Sequence, residues 1–163
     1  MLTLPKIVDR PEIPYLAVRA EVTLPFDDEI PALLGRLFGA MAERGIAPAG
    51  PLIFKHNVID MPWIEMDFAV PVSKPESGGG ALVAGVLPAG RYAEITWFGP
   101  YDDLIDVNAV LIGWARHCGL DFDMQKEPAG DRFAGRVEIY HNDPDTQPDP
   151  AKLETTVAIR LRD

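Results

Sequence analysis

Arg136-Val137-Glu138-Ile139-Tyr140 alternates apolar and polar side chains with period two, and Trp63-Ile64-Glu65-Met66-Asp67 is its earlier echo. That alternation marks a β-strand, whose successive side chains point to opposite faces. In the later stretch Val137 and Ile139 share one face, while Arg136, Glu138 and Tyr140 share the other. In the earlier one Ile64, Met66, Phe68 and Val70 line one face, opposed by Trp63, Glu65, Asp67 and Ala69. Each stretch thereby sets a carboxylate beside an aromatic ring on the face turned away from the hydrophobic layer. A carboxylate so placed is either solvated or the polar anchor of a binding groove.

The segments around these two stretches repeat. In the first half, Tyr15–Thr23 alternates as a strand, and Pro25-Phe26-Asp27-Asp28-Glu29 opens a helix whose early acids complement its dipole. Ile30, Leu33, Leu34, Leu37, Phe38 and Met41 follow at helical spacing, and Gly45 ends the helix. A Pro/Gly turn at 47–51 leads to a strand over Leu52–Val58 and then to the Glu65 strand. In the second half, Leu82–Leu87 and Arg91–Phe98 read as strands, and Gly99-Pro100-Tyr101-Asp102-Asp103 opens a second helix. Its stripe is Leu104, Val107, Leu111, Trp114 and Cys118, and Gly119 ends it. A charged, glycine-containing loop precedes the Glu138 strand, and Leu153–Leu161 alternates as the last strand. Val8–Pro14, with two prolines, is irregular or an edge strand. Ser73–Gly80 (SKPESGGG) is the one clear linker.

This pattern gives an α+β fold with tandem βαββ modules of about 1–75 and 81–163, one long helix in each, and pseudo-twofold symmetry within a single domain over 1–163. Antiparallel sheets then enclose a central cleft. If each helix covers the apolar face of its own sheet, the other faces line the cleft, with Glu65 and Glu138 on its opposite sides.

Composition limits what such a cleft can hold. The 163 residues are 47% hydrophobic, enough for a globular core, and carry a net charge of −10. That charge argues against a nucleic-acid partner, which needs clustered Lys and Arg, and favours a cationic small molecule or a basic protein. The single cysteine, Cys118, leaves no internal disulfide or zinc motif. No apolar run approaches a membrane span and no signal peptide opens the chain, so a cytoplasmic location is expected. His56, His117 and His141 lack metal-ligand spacing, and no phosphate loop, dinucleotide fingerprint or nucleophile elbow is present. Neither a metal nor a cofactor is expected.

Glu138 is the sharpest candidate, because a carboxylate flanked by β-branched residues inside a sheet is partly desolvated and attracts cations. Its plain alternative is a solvated strand residue paired with Arg136 or with an arginine of a neighbouring strand. Glu65 and Asp67 point the same way and form either a carboxylate pair or a wet sheet face. Trp63, Trp97, Tyr101 and Tyr140 are candidate walls for a flat or cationic ligand. For Trp97 simple core packing is an equal reading, and Trp114 reads as core.

With these residues in view, the chain resembles the gyrase-inhibitor-like (GyrI-like) small-molecule-binding proteins. These are related to the effector-binding domains of AraC-type and MerR-type transcription regulators. The resemblance is carried by Leu87-Pro88-Ala89-Gly90-Arg91-Tyr92, Gly99-Pro100-Tyr101-Asp102, Gly130-Asp131-Arg132, Val137-Glu138-Ile139-Tyr140 and the tail 148–161. In the first half it rests on Pro5-Lys6-Ile7-Val8, the turn over 45–51 and Val58-Ile59-Asp60-Met61. It implies two βαββ modules around a cleft into which Glu138 reaches, as the matching glutamate of the regulators reaches cationic, hydrophobic drugs. No DNA-binding region precedes residue 1, so a stand-alone binding protein is expected rather than a transcription factor. Some stand-alone relatives hydrolyse cyclopropane-bearing alkylators; on that reading Glu138 is the catalytic residue and Trp97, Tyr101 and Tyr140 hold the substrate. A third class is a protein-interaction module with a protein partner, as the family's name suggests.

Overall fold

The alternating stretches become strands of one continuous antiparallel sheet in the computed structural model, which describes residues 1–163. The strands are β1 (Lys6–Arg10), β2 (Ile13–Thr23), β3 (Leu52–Asp60), β4 (Trp63–Pro71), β5 (Val83–Leu87), β6 (Gly90–Phe98), β7 (Met124–Glu127), β8 (Gly130–Phe133), β9 (Arg136–Tyr140) and β10 (Glu154–Arg160). The helices are α1 (Ile30–Glu43) and α2 (Leu104–His117). The strand order is β1-β6-β10-β9-β3-β4-β2-β5, symmetric about the β9–β3 junction that joins the two halves edge to edge. The flanking strands are exchanged: β1 closes the second half against β6, and β5 closes the first against β2. Proline-flanked β1 is an edge strand, where a missing N–H is tolerated.

Each helix is short enough to be marginal alone, so packing holds it in place. Leu33, Leu37 and Met41 of α1, and Leu104, Val107, Leu111 and Ala115 of α2, are buried on the same side of the sheet. At roughly 1.5–3 kcal/mol per fully buried large aliphatic side chain, these stripes fix both helices. Gly45 and Gly119 end them at φ 67° and φ 69°, the left-handed conformation that only glycine adopts without strain. The second stripe turns inward at Ala115; Trp114 is partly buried and packs against the core, whereas Cys118 is exposed, contrary to the reading that put it on the apolar face.

Three further expectations are corrected. The loop before the Glu138 strand contains the hairpin β7–β8, which pairs with the end of β3; its strands are four residues long and mostly polar, so they carry little periodic signal. The structural counterpart of β9 is β3, and that of β4 is β10, so the sequence alignment of the Glu65 and Glu138 strands was shifted by one strand. Finally, the open groove lies on the helix-bearing face, between α1 and α2, and not on the faces the helices leave bare. The opposite face is closed by its own cluster of Tyr15, Ala17, Ile53, Ala69, Leu87, Tyr92, Val137, Ile139 and Ala158.

Candidate functional site

Register explains why a carboxylate ends up on the helix-bearing face of the sheet. Val18, Phe68, Phe54, Glu138, Val157 and Ile95 are successive cross-strand partners on β2, β4, β3, β9, β10 and β6. They form a row on the helix side in which Glu138 is the one polar member. Val137 and Ile139, one step away on either side, point into the opposite cluster. β9 is therefore buried on both faces, and its polar face happens to be the one toward the helices. In β4 the parity is reversed: Ile64, Met66 and Phe68 join the helix-side core, and Glu65 and Asp67 face the other way.

Because β9 and β3 lie midway between the helices, no helix covers this part of the row. A cavity of about 1240 Å³ opens there. Its floor carries Phe54, His56, Arg136, Glu138 and Tyr140. Ile30, Leu34 and Phe38 of α1 form one wall, and Leu104, Asn108 and Ile112 of α2 face them. Asp27, Asp102, Asp143 and Asp145 also border it, so carboxylates outnumber its single arginine. The aromatic side chains are edge-to-face: Phe54 and Tyr140 have centroids 4.7 Å apart, and Tyr101 and Tyr140 5.4 Å. Such contacts add about 0.5–1.5 kcal/mol each beyond burial and hold the rings in fixed orientations.

The Glu138 side chain is 12% exposed. Tyr140 Oη donates to its Oε2 at 2.5 Å, and Asn108 Nδ2 donates to its Oε1 at 3.2 Å. Burial pushes the Glu138 carboxyl above the usual range, while the bonds from Tyr140 and Asn108 and the charge of Arg136 pull it back in part. His56 Nε2 lies 4.0 Å from Glu138 Oε1. That ring is neutral, because burial, helped by the charges of Arg136 and Lys55, pushes it down to about 3. Arg136 is pushed down to about 10 by burial, against the opposing charges of Glu138 and Asp131. Tyr140 is raised by burial and by the Glu138 carboxylate, so it stays a hydrogen-bond donor. The carboxylate therefore sits in an apolar hollow with two neutral donors and no direct ion pair to a charged group.

Of the residues singled out from sequence, Glu138, Tyr140 and Tyr101 share this cavity, and Trp63, Glu65 and Trp97 do not line it. Glu65 is on the other face of the sheet, 3.8 Å from Arg19 Nε, so the two glutamates do not face one another. Trp63 shares the parity of Glu65 at the start of β4. Trp97 stands on β6, two strands from β9, with Thr155 between it and Tyr140. Its indole donates to Pro100 O at 2.9 Å and packs over Gly99, where any Cβ would meet the ring at 2.3 Å. Asp67 is fully buried in a separate network, accepting from Arg19 at 2.7 and 3.0 Å and from Tyr15 at 2.7 Å. The cavity residues that sequence reading passed over are Phe54, His56, Asn108 and Arg136. Asn108 could have been flagged as an amide inside an apolar helical pattern, where such residues are uncommon.

An α+β sheet with two helices flanking a deep, acid-bordered cleft has the concave shape of a small-molecule site. The model of the GyrI-like small molecule binding domain matches residues 4–162, and the chain belongs to that family. No curated protein matches it. Among solved structures, the C-terminal domain of EcmrR is similar at 16% identity and TM-score 0.78, covering 98% of this chain and 97% of that one. EcmrR in its DNA complex is similar at 16% identity and TM-score 0.79; the match covers 98% of this chain and 57% of that longer one. SAV2435, solved with tetraphenylphosphonium bound, is 6% identical with TM-score 0.65, covering 98% and 94%. A hydrolase from Listeria innocua is 16% identical with TM-score 0.59, covering 97% and 91%. At these identities the likeness speaks for the fold.

Proposed function

We propose that this protein binds aromatic, cationic small molecules in the cleft between α1 and α2, with Glu138 as the anchor for positive charge. The observation that carries this reading is a buried carboxylate with no direct ion pair, set among Phe54, Tyr101 and Tyr140 in a cavity large enough for a drug-sized molecule. An ionised carboxylate in such surroundings lacks its solvent, and a cation that brings apolar surface with it replaces that solvent at little cost. The tetraphenylphosphonium bound to SAV2435 is a molecule of this chemistry. The direct test is titration calorimetry with tetraphenylphosphonium on wild type and Glu138→Gln. Saturable binding that the substitution weakens supports the proposal, and equal binding by both proteins contradicts it.

A second reading is favoured by one feature, the raised carboxyl of Glu138 beside Tyr140 and a neutral His56. A carboxyl group whose pKa is raised by burial can serve as a general acid, and the hydrolase among the similar folds is consistent with that use. Here Glu138 would protonate an electrophilic substrate held against Tyr101 and Tyr140. Mass spectrometry of a cyclopropane-bearing alkylator incubated with the protein separates the two: a hydrolysed product that Glu138→Gln fails to form indicates an enzyme, and recovery of intact compound indicates a receptor.

A further inference from the structure

Cation binding leaves Arg136 unexplained. The residue is 8% exposed and lines the same cavity as Glu138. Its guanidinium has five N–H donors, yet it makes one hydrogen bond, from Nη2 to Asn108 Oδ1 at 3.4 Å, and its enclosed Nε has no partner. It forms no ion pair, whereas Arg19 and Arg160 hold carboxylates at 2.7 and 2.5 Å. The Phe133 ring at 4.8 Å offers a cation–π contact but accepts none of those hydrogens in the plane of the group. Nearby, His56 is 7% exposed, and its enclosed Nδ1 also lacks a partner.

Asn108 explains why Arg136 and Glu138 do not pair with each other. Its amide accepts from Arg136 through Oδ1 and donates to Glu138 through Nδ2 at 3.2 Å, which holds the two charges apart. Residues two apart on a strand face are separated by about 6–7 Å. The floor of the cleft is thus a fixed dipole, its positive pole poor in partners and its negative pole held by two neutral donors and no ion pair. Buried donors left unpaired are costly, a cost removed when a ligand supplies the acceptor.

We propose that the ligand is bipolar: an aromatic amphipath whose carboxylate is received by Arg136 while its cationic group lies against Glu138. This rests on the reading of Glu138 as the cation anchor, and it narrows that reading from lipophilic cations to zwitterions.

The test uses two dyes with one ring system, rhodamine 110, which has a free carboxylate, and rhodamine 123, its methyl ester. Tetraphenylphosphonium serves as a cation with no acceptor. Fluorescence anisotropy with wild-type protein should show rhodamine 110 bound about tenfold or more tighter than the ester, as one charge-assisted pair implies. In Arg136→Met, and less completely in Arg136→Lys, that preference should collapse; the readout is the ratio of the two dye affinities in each protein, which an overall change in cation affinity does not enter. Equal binding of the two dyes by wild type, no binding of rhodamine 110, or a preference that survives Arg136→Met would overturn the proposal. The wild-type comparison needs no variant to fold. If tetraphenylphosphonium binding depends on Glu138 while the dyes bind equally, the bipolar inference alone fails. If that dependence is itself absent, the anchor reading fails first.

Discussion

Replacing Glu138 by Gln changes one charge and almost no volume, and it should move binding and stability in opposite directions. A monocation about 5 Å from the carboxylate at an effective dielectric of about 20 gains roughly 3 kcal/mol. Ionising a group whose folded pKa is raised offsets part of that, and the variant should bind with a Kd at least about tenfold weaker, about 1.4 kcal/mol. In the unliganded protein the sign reverses. A carboxyl whose folded pKa lies above its unfolded value is best tolerated below the unfolded pKa, and stability is lost as pH rises through the folded value. Glu138→Gln removes that loss, so the unliganded variant should melt higher than wild type at pH 8, with the gap closing toward pH 4. Titration calorimetry with tetraphenylphosphonium and thermal melts across this range read both effects. A variant that binds within threefold of wild type (about 0.65 kcal/mol), or one that melts lower at pH 8, would refute the reasoning.

Four other outcomes follow from the same geometry. Tyr140→Phe removes the 2.5 Å donor that favours ionised Glu138, so the pH midpoint of tetraphenylphosphonium binding should rise by about one unit, given about 1.5 kcal/mol for a hydrogen bond to a charged group. Phe54→Ala deletes a buried ring packed against both Phe68 and Tyr140, and chemical denaturation should show a loss of about 3–5 kcal/mol. Asp67→Asn should cost about 1–3 kcal/mol by weakening the charge-assisted bonds from Tyr15 and half-exposed Arg19, with tetraphenylphosphonium affinity unchanged because this network is on the other face of the sheet. Burial alone would raise the Asp67 carboxyl, but the bonds from Arg19 and Tyr15 hold it below the usual range; its contribution is therefore present above the unfolded pKa and lost as acid titrates it. Glu65→Gln and Trp97→Phe should leave ligand affinity within twofold of wild type, well under 1 kcal/mol, since neither residue lines the cleft.

Period-two alternation and the two glycine-ended apolar stripes are enough to read seven of the strands, both helices and the repeat, because each rests on local burial that repeats along the chain. The polar hairpin β7–β8 has no such stripe and escaped notice. The faces were harder. Alternation says which side chains share a side, not which side a helix will cover, and β9 is buried on both. Choosing Val137 and Ile139 as the inward pair was reasonable; the long-range pairing of Glu138 with Phe54 and Val157 puts the opposite face under the helices. The same blindness to register put Glu65 across the cleft and kept Trp97 among its walls. Phe54, His56 and Asn108 come from elements 30 to 84 residues away from Glu138 in sequence, and only the β3–β9 junction brings the first two to it.

A crystal structure of the protein grown with tetraphenylphosphonium tests the central claim most directly. The phosphonium should lie between α1 and α2 with its phenyl groups against Phe54, Tyr101 and Tyr140, within about 5–6 Å of the Glu138 carboxylate, the range in which a charge and an aromatic box act together. A phosphonium bound elsewhere, with the cleft over β9 left open, would contradict it.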